Sequence, residues 1–238
     1  MNAVRMLNCA AGRPLLLTCE HASCAVPVEY DELGLDTEQL RTHIGWDIGA
    51  AELTEALAVR CNTPAVLGGF SRLLVDCNRD LGDHDLIVAE SHGIRVPGNA
   101  HIDRDERESR IEQFYRPYHD AIETVLSQCD NPFLLSVHSF TPALNGHERR
   151  FDIGVLFDTF AAEAHLIAQK LVSAGLRVRF NEPYSGLDGL IFSARTHGMR
   201  HGLRYLELEV NNRLLRTPAD VATIADAVQR ALARCVTA

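Results

Sequence analysis

Short apolar runs alternate with amphipathic stretches along this chain, and that alternation restricts the folds available to it. A run of about four to eight apolar residues between turn residues is typical of a buried strand, whereas apolar residues spaced by three and four indicate a helix. Strands are predicted at 14–19, 64–68, 72–77, 133–138, 152–157, 176–180 and 203–210, and helices at about 36–43, 47–61, 104–129, 159–174 and 217–235. This order predicts an α/β fold, a three-layer sandwich with a mixed, largely parallel sheet.

Two segments show neither the strand period nor the helix period. Residues 80–103 and 140–151 are predicted to be long loops, and the first of them is rich in glycine. Long loops at strand ends commonly carry substrate contacts. Because no repeat or linker interrupts the sequence, we expect residues 1–238 to form a single domain, which is long enough to bury a full core.

The charge balance and the cysteine usage argue against several classes of protein. The chain has 23 Lys and Arg against 32 Asp and Glu, and this deficit of basic side chains argues against a nucleic-acid partner. The sequence contains no run of about 18 apolar residues, so no membrane span is predicted. The first dozen residues lack the pattern of a secretory signal. The cysteines include no C-x-x-C pair, so we expect reduced, mostly buried thiols in a cytoplasmic protein. The oligomeric state stays open.

Two of the predicted strands lead into a histidine. His21 follows Leu-Leu-Leu-Thr-Cys-Glu, and His138 follows Phe-Leu-Leu-Ser-Val. Open α/β sheets place their chemistry at the carboxyl ends of strands, so we expect these two imidazoles to converge on one metal ion. Either histidine alone is more often structural, and the pair carries the prediction. Asp47 is the leading third ligand, although a helix N-cap is its ordinary interpretation, and Glu20 competes with it.

A second group of polar residues lies in the segment 71–80. Arg72 and the sequence Asp76-x-Asn78-Arg79 flank an apolar run. An arginine at a strand end can hold a substrate carboxylate through two parallel hydrogen bonds. A buried pair between Asp76 and Arg72 that fixes the loop is the equally weighted alternative.

The last predicted strand carries polar side chains at alternate positions. Glu207, Glu209 and Asn211 therefore share one face of that strand. A solvated face is the ordinary interpretation, but a carboxylate within an α/β sandwich can also serve as a general base beside a metal. His197 and His201, which precede this strand, are weaker candidates for substrate contact.

Six short motifs resemble, in this order, the N-formylglutamate amidohydrolase family, specifically a shorter branch of predicted homologues, over residues 15 to about 215. The family is similar in fold to the zinc carboxypeptidases and aspartoacylases, so the resemblance implies a phosphorylase/hydrolase-like sandwich. The motifs are Glu20-His21-Ala-Ser23, Trp46-Asp47, Ser71-Arg72-Leu-Leu-Val-Asp76-x-Asn78-Arg79, Val137-His138-Ser139-Phe-Thr-Pro142, Asn181-x-Pro183-Tyr184-Ser-Gly186 and Glu207-x-Glu209-Val-Asn211-Asn.

Carried over by position, the resemblance implies a zinc ion, or another divalent metal, held by His21, Asp47 and His138. One departure affects this set. Zinc carboxypeptidases read H-x-x-E at the first histidine, but Cys24 stands where the glutamate would be. The carboxylate ligand must therefore come from elsewhere, from Asp47 or from the neighbouring Glu20.

The resemblance also implies roles around the metal. Asn78 and Arg79 would grip the carboxylate of the substrate, with Arg72 nearby and Ser139 as a further substrate contact. Glu209 would be the base that activates water, although the choice between it and the other carboxylate on the same strand face stays open.

These inferences predict a metal-dependent hydrolase that acts on a linear amide of a small anionic N-acyl amino acid. The simplest substrate is N-formyl-L-glutamate, which would give formate and glutamate. One alternative is a zinc amidase, deacylase or peptidase of the same fold with another N-acyl substrate. The other is a non-catalytic binding protein that has lost turnover.

Overall fold

Seven strands form one mixed sheet in the computed structural model, which describes residues 2–8 and 14–233. Across the sheet the strands lie in the order β1-β3-β2-β6-β11-β9-β10, and four further short strands pair as the hairpins β4–β5 and β7–β8. In chain order the strands are β1 Val4–Leu7, β2 Leu15–Cys19, β3 Ala65–Gly68, β4 Glu90–Ser91, β5 Ile94–Arg95, β6 Phe133–Phe140, β7 Ala143–Leu144, β8 His147–Glu148, β9 Ile153–Leu156, β10 Val178–Phe180 and β11 Tyr205–Asn211.

Most neighbouring strands of the sheet are parallel. Strands β3, β2, β6 and β11 run in the same direction, and β10 is parallel to β9. Within this seven-stranded sheet, as far as the structure describes it, only the pairs β1–β3 and β11–β9 are antiparallel. The predicted mixed, largely parallel sheet is therefore confirmed.

Helices cover both faces of the sheet, which confirms the three-layer sandwich. The helices are α1 Thr37–Leu40, α2 Ala50–Cys61, α3 Arg104–Arg110, α4 Arg116–Leu126, α5 Ala161–Ser173, α6 Phe192–His201 and α7 Pro218–Leu232. Along β2, Leu15 and Leu17 belong to the core shared with α2, α5 and α7, whereas Leu16 belongs to the core on the opposite face. This alternation is the period of two that a strand imposes on its side chains.

The strand predicted at 72–77 is wrong. This segment forms turns, in which the Leu74 amide donates to the Ser71 carbonyl oxygen at 3.0 Å and the Ser71 hydroxyl accepts from the Leu73 amide. The side chains of Leu73, Leu74 and Val75 are nevertheless buried. An apolar run reports burial, not backbone conformation, and here the serine stabilises a turn.

Several elements differ from the prediction. Strand β1 and helix α6 are additional to the predicted set, and the helix predicted at 36–43 is reduced to the single turn α1. The predicted helix 104–129 is α3 and α4 joined through a π-helical segment, Ile111–Tyr115. The end of the last predicted helix, at 235, lies outside the described residues.

The two predicted loop segments are confirmed, although each contains a short hairpin. Residues 80–103 hold β4–β5, and residues 140–151 hold β7–β8. Within the described residues, no helix is both long and apolar enough to cross a membrane. Cys19 and Cys77 are buried, Cys24, Cys61 and Cys129 are partly buried, and Cys9 and Cys235 lie outside the described residues.

Candidate metal and active site

The candidate site lies at the carboxyl ends of three adjacent parallel strands. Strand β2 leads into Glu20 and His21, β6 carries His138 near its end, and β11 carries Glu207 and Glu209. The register of β6 and β11 sets Glu209 directly opposite His138. Because parallel neighbours end at the same edge of the sheet, residues far apart in sequence meet there.

His21, Asp47 and His138 form one buried cluster. A single ligand atom from each lies within 4.8 Å of the other two. Nδ1 of His138 lies 2.7 Å from Oδ2 of Asp47, and Nδ1 of His21 lies 3.5 Å from the same oxygen. The Asp47 amide also donates to the His21 carbonyl oxygen at 2.9 Å, which fixes the loop before α2 against the end of β2. The structure thus brings together the three residues predicted as metal ligands.

The far nitrogen of each imidazole contacts a second carboxylate. Nε2 of His21 lies 2.7 Å from Oδ1 of Asp76, and Nε2 of His138 lies 3.0 Å from Oε2 of Glu20. The Ser136 hydroxyl donates to that same Glu20 oxygen at 2.7 Å. A carboxylate behind the imidazole is the usual arrangement that orients a metal-binding histidine. Glu20 therefore lies behind His138, and Asp47 is the carboxylate between the two histidines.

The same carboxylates control the charge of His138. Burial opposes the charged form of its imidazole, but Glu207, Asp47 and Glu20 outweigh burial and raise the pKa of His138 well above its ordinary value. Burial also acts on Glu20, yet its hydrogen bond from the imidazole holds the pKa of Glu20 below its usual range. The site is therefore a dense network of charges away from water.

Glu207 and Glu209 face this cluster with different partners. Glu207 accepts a hydrogen bond from Nδ2 of Asn78 at 3.2 Å and lies 3.6 Å from Nε2 of His138. Burial raises the pKa of Glu207 to about 7. Oε2 of Glu209 is buried without a hydrogen-bond partner among the described residues, and burial raises the pKa of Glu209 well above its ordinary value. Glu209 is the less restrained of the two carboxylates.

The predicted substrate-binding residues all line one cavity of about 330 Å³ with the cluster. Arg72 donates to Oδ2 of Asp76 from Nε at 3.2 Å and from Nη2 at 2.6 Å. Asn78 is held by Glu207 and by the Ser193 amide, which donates to Oδ1 of Asn78 at 2.9 Å. The pair between Arg72 and Asp76, which was one of two alternatives for this segment, is thus present.

Arg79 and Ser139 differ in how far they are restrained. Nη1 of Arg79 lies 4.0 Å from Oδ2 of Asp83, and the side chain is about a quarter exposed, at 27%. The hydroxyl of Ser139 donates to the Ile48 carbonyl oxygen at 2.8 Å, and its amide donates to Oδ2 of Asp47 at 3.3 Å. Ser139 therefore also holds Asp47 in place.

Several residues that line the cavity were not predicted from the sequence. Tyr184, His43 and His92 line the cavity, and only Tyr184 belongs to one of the motifs noted above. In contrast, His197 and His201 do not line it among the described residues. Both contact Glu123 on α4, at 2.7 Å each, so the expectation of a substrate contact for them is wrong. Helix α6 turns these histidines toward α4 and away from the cavity.

Comparison with known proteins agrees with this geometry. A model of the N-formylglutamate amidohydrolase family matches residues 13–216. A solved gene product of Agrobacterium tumefaciens is 31% identical, with a TM-score of 0.94 over 100% of this chain and 96% of that one. The N-formylglutamate amidohydrolase of Ralstonia eutropha JMP134 is 20% identical, and its TM-score of 0.68, over 100% of this chain and 98% of that one, shows the same fold. No curated protein matches the chain. The chain therefore belongs to the N-formylglutamate amidohydrolase family of amide-bond hydrolases.

Proposed function

We propose that this chain is a metal-dependent hydrolase of N-acyl amino acids that cleaves N-formyl-L-glutamate to formate and glutamate. The observation that carries the proposal is the buried cluster of His21, Asp47 and His138, which lines the same cavity as Glu209. The proposed partner is therefore a small anionic N-acyl amino acid.

The donor set of the cluster fits a divalent metal. Two imidazole nitrogens and one carboxylate oxygen converge, which is a ligand set that zinc takes in hydrolases. Nδ1 of His21 is buried and has no hydrogen-bond partner in the part of the chain that the structure describes. His21, Asp47 and His138 would hold the ion. When bound, the metal would polarise the scissile carbonyl and lower the pKa of a water molecule.

Glu209 is the proposed general base. Its Oε2 atom has no hydrogen-bond partner among the residues that the structure describes, so this oxygen can take a proton from water. After taking that proton, Glu209 would give it to the leaving nitrogen. Glu207 is bonded to Asn78 and is therefore less available for the same step.

Arg79 and Asn78 are proposed to hold a carboxylate of the substrate, with Arg72 beside them. Within the described part of the chain, the one ion pair of Arg79 is the 4.0 Å contact with Asp83, so its planar guanidinium can bind a carboxylate through two hydrogen bonds. We expect Arg79→Ala to raise the KM for anionic substrates mainly, because the side chain orients the substrate and does not move a proton. An equal loss on a neutral amide would contradict this role.

A substrate panel tests the proposal. Release of free amine from N-formyl, N-acetyl and N-succinyl amino acids would be measured on the purified protein, with and without a chelator. We expect N-formyl-L-glutamate to have the highest kcat/KM, a chelator to abolish turnover, and added zinc to restore it. A preference for another acyl group would favour a different amidase of the same fold. A protein without bound metal and without turnover would instead be a binding protein.

A further inference from the structure

Two histidines near the open side of the cavity are not used by the proposed reaction. His43 lies in the turns after α1, and His92 lies at the tip of the β4–β5 hairpin. Their ring centroids are 4.9 Å apart, and both side chains line the cavity. Nε2 of His43 is buried and lacks a hydrogen-bond partner among the described residues. A buried polar atom without a partner needs an explanation, and on a cavity wall a bound ligand provides one.

The backbone at His92 shows which substitution removes its imidazole without changing the turn. His92 has φ of 50° and the following Gly93 has φ of 80°. The second hairpin, β7–β8, has nearly the same turn angles at Asn145 and Gly146, with φ of 51° and 79°. Asn-Gly is the preferred pair for such turns, although histidine also tolerates a positive φ. Asparagine is consequently a substitution that keeps the turn and removes the ring.

The charges around the two histidines favour an anion. Burial is the main cause that lowers the pKa of His92, and the charges of Arg72 and Arg149 lower it further. Burial and the same two arginines also lower the pKa of His43. Both imidazoles are therefore neutral near pH 7, and each offers one N–H donor. Acidic residues also line this cavity. Glu90, which lies on the same hairpin as His92, is exposed, so solvent screens its charge.

Arg149 supplies positive charge that no carboxylate neutralises within the described residues. Its guanidinium lies over the rings of Phe140 and Tyr184, 5.7 and 5.6 Å from their centroids. Its hydrogen bonds go to the carbonyl and hydroxyl oxygens of Thr141. In contrast, Arg72 is already bonded to Asp76. Arg149 can therefore offer its positive charge to an anionic ligand.

We propose that His43 and His92, assisted by Arg149, bind a second carboxylate of the substrate, remote from the amide that is cleaved. They are specificity-determining residues that select dicarboxylic over monocarboxylic N-acyl amino acids. This inference rests on the proposed function, because it takes Arg79 and Asn78 as the site of the first carboxylate.

Kinetics on a matched pair of substrates provide the first test. N-formyl-L-glutamine has nearly the shape of N-formyl-L-glutamate but lacks the second negative charge. We expect His92→Asn and His43→Gln each to raise the KM for N-formyl-L-glutamate about tenfold, the usual loss for one hydrogen bond to a charged group. The KM for N-formyl-L-glutamine should stay within about twofold of the wild-type value. The control His147→Asn removes an exposed histidine of the other hairpin and should change neither value.

Binding of glutarate and butyrate provides a second test that needs no turnover. Calorimetry should show that the wild type binds glutarate more tightly than butyrate, and that His92→Asn removes most of that preference. If no N-formyl amino acid is hydrolysed, the proposed function fails, but this binding comparison still decides the subsite. An unchanged preference, or an equal loss for both ligands in a variant with the wild-type melting temperature, would overturn the inference.

Discussion

At the scale of single residues, the site is organised by carboxylates on both sides of its two histidines. Asp47 lies between the Nδ1 atoms, while Glu20 and Asp76 contact the Nε2 atoms. Each imidazole is therefore fixed in orientation before any ligand arrives. The carboxylates behind a ligand set its basicity as well as its position, so their removal should weaken metal binding without removing a ligand.

Glu20→Gln tests the role of the carboxylate behind His138. The amide keeps the shape of the side chain and can still accept the hydrogen bond from Ser136, but it loses the charge that stabilises the imidazole. We expect zinc affinity, measured by competition with a chromophoric chelator, to fall about 10- to 100-fold. His138→Ala should abolish binding at this site. A Glu20→Gln variant with wild-type affinity would show that this carboxylate is only structural.

Glu209→Gln and Glu207→Gln decide which carboxylate is the base. We expect Glu209→Gln to lower kcat about 10²- to 10⁴-fold while bound metal is retained, because a general base contributes about that much. Glu207→Gln should lower kcat less, since Glu207 is hydrogen-bonded to Asn78 and is less available as a base. Metal content and kcat would be measured on the same preparations. The reverse order of effects would assign the base to Glu207.

The residues that converge here could be predicted from sequence only in part. His21 and His138 were identifiable because strand ends in α/β sheets meet at one edge. The positions of Glu20 and Asp76 behind them were not, because both lie outside the strands and helices, where side-chain directions follow no period. His43 and His92 enter the site from segments without any periodic pattern, so no sequence argument placed them there.

At the scale of elements, α6 shows why the missed helix could not be read from its sequence. Its residues Phe-Ser-Ala-Arg-Thr-His-Gly-Met-Arg-His contain a glycine and few apolar side chains. Ala194 and Phe192 pack against the core, and polar contacts add to this packing, since His197 lies 2.7 Å from Glu123 and 2.9 Å from His119 on α4. Gly198 allows the helix to approach the ring of Tyr205 on β11. Periodicity of apolar residues carries no information about such contacts.

Gly198→Ala tests the close approach of α6 to the sheet. Alanine favours a helix over glycine by about 1 kcal/mol, which would stabilise the protein if packing were neutral. A Cβ atom at this position would overlap the Tyr205 ring, however, so we expect a net loss of about 1–3 kcal/mol in the free energy of unfolding. Urea denaturation would measure it. Met199→Ala, an exposed neighbour, should stay within about 0.5 kcal/mol, and a stabilised Gly198→Ala variant would refute the packing argument.

Asp152 joins β9 to the segment before β10 and makes this link sensitive to acid. Hydrogen bonds from Arg177, together with one from Arg213, hold the pKa of Asp152 below its usual range. A carboxylate whose pKa is lowered by folding stabilises the protein above its unfolded pKa of about 4, and this contribution is lost as the pH falls below that value.

Asp152→Asn should therefore lower the free energy of unfolding at pH 7, and its difference from the wild type should shrink as the pH falls below about 4. Urea denaturation at a series of pH values measures this difference. Asp226→Asn, which breaks the exposed pair with Arg60, should have a smaller effect because solvent screens that pair. A difference that stays constant down to pH 3 would contradict the assignment to this carboxylate.

At the scale of the whole molecule, the alternation of strands and helices determines the layers but not the order of the strands. The sandwich was predictable because apolar strands and amphipathic helices have only a few ways to cover one another. The placement of β11 between β6 and β9, antiparallel to the latter, follows from no local pattern. Yet this placement sets Glu209 opposite His138, so the site depends on a feature of the topology that the sequence does not display.

Because the cluster joins segments from distant parts of the chain, metal binding should stabilise the entire fold. Without a metal, Asp47 and the two imidazoles are buried together. An ion that binds only the native state, present at 1,000 times its Kd, adds about 4 kcal/mol to the free energy of unfolding. For a chain of this size, that corresponds to a fall in Tm of roughly 10 °C after treatment with a chelator. Scanning calorimetry before and after chelation, and again after stoichiometric zinc, would measure the shift. The Tm of the His138→Ala variant should not change when zinc is added. A wild-type Tm that changes neither with chelator nor with zinc would refute a metal at this site.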